Sequence, residues 1–78
     1  MKTKVEFINI FHLHGTDSPR VEMLGPIQLK RMLSEHSDFD KEEFTDRIIL
    51  SKSYPGENEH GEKSMDHGVT QQIIVWRN

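Results

Sequence analysis

The sequence predicts a small α+β domain: a mostly antiparallel sheet of three to four strands, ordered β-(β)-α-β-β, with one main helix packed on one face. Three observations lead there. Residues 4 to 14 alternate as a strand apolar on both sides, one helical stripe follows a Gly-Pro pair, and two β-branched runs close the chain.

In the first strand, side chains alternate between faces. Val5, Phe7, Phe11 and Leu13 share one face, with Asn9 as its polar exception, while Glu6, Ile8, Ile10, His12 and His14 share the other. Gly15-Thr16-Asp17-Ser18-Pro19 is a turn, and Arg20 to Leu24 is a short second strand returning antiparallel to the first. Gly25-Pro26 opens a helix to about Ser37, because proline fits the first helical position, where an N–H has no partner to lose. Leu29, Met32, Leu33 and His36 form its stripe, and Ile27 lies nearly opposite.

Residues 38 to 46 are acidic. Asp40 and Glu43 have the spacing of an N-cap and its third helical residue, which predicts a short helical turn anchored by Phe39 and Phe44. Arg47 to Tyr54 reads as a strand ended by Pro55-Gly56. Residues 55 to 68 are polar, with two further glycines, and read as a mobile loop. Val69 to Trp76 is the last strand, placing Ile74 and Trp76 together on one face.

The 78 residues read as one domain (1–78), small enough that self-association is a common route to stability. With no cysteine there is no disulfide, thiolate metal site or cysteine nucleophile, which fits a reducing compartment. No apolar run approaches a membrane span, and Glu6 and Asn9 interrupt any signal-peptide core, so a cytoplasmic location is expected. A net charge of −3, with basic residues scattered from Lys2 to Arg77, makes nucleic acid an unfavoured partner.

Two chemistries remain. One helix covers one sheet face, so Ile8, Ile10, Ile74 and Trp76 are expected to form an uncovered apolar face. Such a face predicts a non-enzymatic, regulatory or interaction module that pairs with itself or another protein. The rival is a divalent metal held by His12 and His14, whose imidazoles would project from one strand face roughly 7 Å apart. His12-Leu13-His14 resembles the opening metal motif of amidohydrolase-type and polymerase-histidinol-phosphatase-type enzymes; the resemblance spans only these few residues. No other cofactor is expected.

Two near-motifs fail on physical grounds. In Gly56-Glu-Asn-Glu-His-Gly-Glu-Lys-Ser64, Glu62 intrudes on a P-loop pattern and repels phosphate. In the run beginning Asp38-Phe39-Asp40, Glu43 stands where a calcium loop needs glycine. That acidic run reads instead as a solvated face or a docking patch for a basic partner.

Overall fold

The computed structural model describes residues 1–77. Its elements are β1 (Thr3–Phe11), β2 (Gly15–Thr16), β3 (Arg20–Leu24), α1 (Pro26–Glu35), β4 (Asp40–Glu43), β5 (Arg47–Glu57) and β6 (Lys63–Trp76). One six-stranded antiparallel sheet runs β2-β1-β6-β5-β4, with β3 beside β2 on the outer edge of β1. No helix among the described residues is long and apolar enough to cross a membrane.

The expected α+β architecture of three or four strands is therefore corrected. The molecule is mostly sheet, and its ten-residue helix caps one part of one face instead of forming half of a two-layer domain. Two segments make the difference. Asp40–Glu43 is an edge strand, not a helical turn, with Lys41 opposite Leu50 and Glu43 opposite Ile48. An edge strand needs one partner and tolerates charge, which discourages further pairing. Phe39 does join the core, whereas Phe44 stays exposed.

Residues 55 to 68, expected as a loop, are instead the far end of a β5–β6 hairpin. Asn58 makes its tip: the side-chain oxygen accepts from the amides of His60 and Glu62 at 2.9 and 3.0 Å. Gly61 supplies the left-handed backbone there, with φ at 75°. The hairpin extends the molecule to 49 × 23 × 21 Å. The resulting radius of gyration of 14.3 Å exceeds the roughly 11–12 Å of a compact chain this long.

The helix begins where Gly25 donates its N–H to Gln28 Oε1 at 3.0 Å. Its stripe lands on the sheet: Met32 is buried, and Leu29 and Leu33 pack against Val5, Leu50, Ile73 and Val75. Cross-strand register explains that core. Val5 faces Val75, which faces Ile48; Phe7 faces Ile73, which faces Leu50. Ile27, opposite the stripe, is 77% exposed.

Candidate functional sites on the two sheet faces

Among the described residues no helix or second sheet lies over the opposite face of the sheet. The same register aligns Glu6, Ile74 and Ile49 in one row, and sets Lys4 and Met23 opposite each other across β1 and β3. Trp76 pairs with Arg47. Ile8, Ile10, Ile49, Ile74 and Trp76 are half-buried here by their neighbours within the sheet alone. Val21 and Met23 extend the patch along β3 and are 51% and 52% exposed. Alternation along β1 and β6 puts Ile8, Ile10, Ile74 and Trp76 on one face, where the register sets Gln72 opposite Ile8 and Thr70 opposite Ile10; alternation alone overlooked Ile49, Val21 and Met23, which the same rule applied across strand pairs identifies.

Trp76 carries the most distinctive environment on this face. Lys4 lies 5.9 Å and Arg47 5.2 Å from its ring centre, so cations flank the indole. Among the described residues its buried Nε1–H has no acceptor, and the buried Arg47 Nε makes no hydrogen bond either, the Asp46 carboxylate lying 3.9 Å away. Glu6, with its side chain 18% exposed amid the apolar residues, is answered by Lys4 at 3.3 Å. The face therefore combines aliphatic side chains with an aromatic one flanked by cations.

His12 and His14 do not stand side by side on a strand. β1 ends at Phe11, and residues 12 to 14 form the turn, closed by the His14 amide donating to the Phe11 carbonyl at 3.1 Å. His12 folds back onto β6: Nδ1 donates to the Met65 carbonyl, and Nε2 meets Thr70 Oγ1 at 2.9 Å. With its proton on Nδ1, the ring accepts at Nε2, so the Thr70 hydroxyl donates to it and accepts from Ser53 Oγ at 2.8 Å. This relay ties three strands together. A metal at His12 would have to displace at least one of these bonds. Among the described residues no group of three or more His, Asp or Glu is placed to hold a metal ion.

No family model, curated protein or solved structure matches this chain.

The helix-side face holds a polar interruption. Between the row Phe7–Ile73–Leu50 and the row Phe11–Val69–Tyr54 lies Asn9–Gln71–Lys52. Helix α1 stops short of this row, leaving a cleft of about 480 Å³. Lys52 is engaged by Asp38, the hydrogen bond from its ammonium holding that carboxyl below the usual range. The same bond raises Lys52 above the usual lysine value.

These shifts fix the sign of a weak pH effect. A lowered carboxyl pKa contributes stability above its unfolded value and loses it as pH falls through the folded one. A raised lysine pKa contributes below its unfolded value and loses it as pH rises through the folded one. The pair is thus fully formed from roughly pH 4 to pH 10. Both groups are exposed and screened, so Asp38→Asn is expected to leave the midpoint of urea unfolding at pH 7 nearly unchanged. A clear loss of stability at pH 7 would mean that the pair is structural.

Proposed function

We propose that this chain is a non-enzymatic interaction module that pairs with a second copy of itself through the open sheet face of Ile8, Ile10, Ile49, Ile74 and Trp76. One observation carries the reading: the apolar core lies on the helix side, while the other side of the same strands presents aliphatic residues and a tryptophan to solvent. A two-fold contact between two such faces would stack sheet on sheet, the arrangement of β-sandwiches. Trp76 and Arg47 are of the residue types that dominate binding energy at interfaces, and both lie half-buried on this face. With a net charge of −3, protein suits this surface better than nucleic acid. Absence of cysteine makes the cytoplasm the natural setting.

Light scattering across a concentration series tests this. The wild type is expected to move from monomer to dimer mass with a Kd on the order of 10 μM. Val21→Lys with Met23→Lys adds charge at exposed positions that the fold does not use, and is expected to leave a folded monomer. A wild type that stays monomeric at several hundred micromolar, as an order of magnitude, removes the homodimer. A dimer indifferent to both lysines places the contact elsewhere.

A further inference from the structure

We infer that the cleft beyond the end of α1, on the face opposite the proposed dimer contact, binds a neutral polyhydroxylated ring, a sugar residue. The floor is a cross-strand pair of carboxamides, Asn9 and Gln71, set where the sheet otherwise turns apolar side chains toward the helix. Among the described residues neither carboxamide has a hydrogen-bond partner. Both carboxamides are exposed to solvent, so their hydrogen-bonding groups are open to a ligand that replaces water.

The walls define the ligand's charge. The Asp17 amide donates to the Asn9 carbonyl at 2.9 Å, which holds the aspartate at the rim. Arg20 lines the same cleft: its guanidinium lies 4.7 Å from the ring centre of Phe7, and the Glu22 carboxylate is 3.9 Å from Nε. An anion drawn to Arg20 meets Asp17, and a cation drawn to Asp17 meets Arg20, so a neutral ligand is preferred over either. His36 completes the helix side. Its Nδ1–H donates to the Met32 carbonyl at 2.7 Å, which leaves Nε2 as a further polar contact.

Hydroxyl groups fit this set because each both donates and accepts, matching carboxamides that offer NH₂ donors and an oxygen acceptor side by side. The volume lies within the roughly 300–1,000 Å³ of small-molecule sites. The cleft is open to solvent, so affinity should be millimolar, as suits a few hydrogen bonds made in competition with water.

The test is an amide-correlation NMR titration of the full chain with glucose, mannose, galactose and N-acetylglucosamine, and with inorganic phosphate and putrescine as anionic and cationic comparators. At least one sugar should move the side-chain NH₂ signals of Asn9 and Gln71 saturably. In Asn9→Ala/Gln71→Ala, both exposed positions, that sugar should bind on the order of tenfold more weakly while the spectrum stays dispersed. Three results overturn the inference: no saturable shift with any of the sugars at about 100 mM, stronger binding of phosphate or putrescine than of every sugar, or undiminished sugar binding by the double variant.

Discussion

Ile73→Ala is expected to remove most of the stability of this protein. Ile73 is 3% exposed and sits at the crossing of the core, paired with Phe7 on β1 and Leu50 on β5. Helix α1 covers this group through Met32, Leu29 and Leu33. Truncating a buried isoleucine removes transfer free energy and leaves a cavity, at about 2–5 kcal/mol. A chain of this size has about 4–12 kcal/mol in total. Its core is a single small cluster, which argues for the lower half of that range. Ile27→Ala supplies the contrast, because Ile27 is 77% exposed and should cost under about 0.5 kcal/mol. In thermal unfolding the core variant should melt about 10–20 °C lower, and Ile27→Ala within a few degrees of wild type. A core variant that melts within a few degrees of wild type would show that the helix and sheet do not share one cooperative core.

The comparison also separates what was legible in the sequence from what was not. Where a segment buries one face, its period records that burial. The alternation of β1, the stripe Leu29-Met32-Leu33 and the return of Arg20–Leu24 against β1 all follow from it. Segments held by backbone pairing alone leave no such record. Asp40-Lys-Glu-Glu43 is exposed at every position and is a strand only because β5 offers it an edge. Lys63 and Ser64 likewise pair only within a hairpin that extends away from the core.

For the histidines it was the strand's end that the sequence did not show: the His-x-His spacing predicts two imidazoles on one strand face, whereas β1 ends at Phe11 and both residues lie in the turn. Strand parity assigns residues to faces wherever β1, β6 and β5 pair without a shift, which covers Ile8, Ile10, Ile74 and Trp76. The helix-side cleft had a visible trace in Asn9, the polar exception on an apolar face. Its cross-strand partner Gln71 depends on register, which one sequence does not specify.

Gly68→Ala is expected to cost about 2–3 kcal/mol, the upper part of the range for overpacking, because the atoms it meets are backbone and cannot swing aside. A methyl on Gly68 would lie 2.1 Å from the Tyr54 carbonyl oxygen and 3.1 Å from that of Met65. The crowding has a topological cause. Between the pairs Tyr54–Val69 and Gly56–Ser64 the register shifts, so that β6 advances five residues while β5 advances two. That irregularity folds the β6 backbone against β5, and Gly56 is pressed from the other side, its added methyl falling 1.9 Å from the His67 carbonyl oxygen. β1 is drawn in as well: the His12 amide donates to the Gly68 carbonyl at 3.1 Å, and the His12 ring to that of Met65. Displacing Gly68 therefore loosens three strands at once. Gly15→Ala separates this steric effect from a conformational one, since Gly15 has φ at 91° but open space around it. Its cost should be about 1–2 kcal/mol from the left-handed backbone alone. Hydrogen exchange should show Gly68→Ala stripping protection from residues 55 to 57 and 63 to 69, and Gly15→Ala leaving it intact there. If Gly68→Ala retains wild-type protection in the hairpin and unfolds at the wild-type midpoint, β5 and β6 do not approach as closely as this register requires.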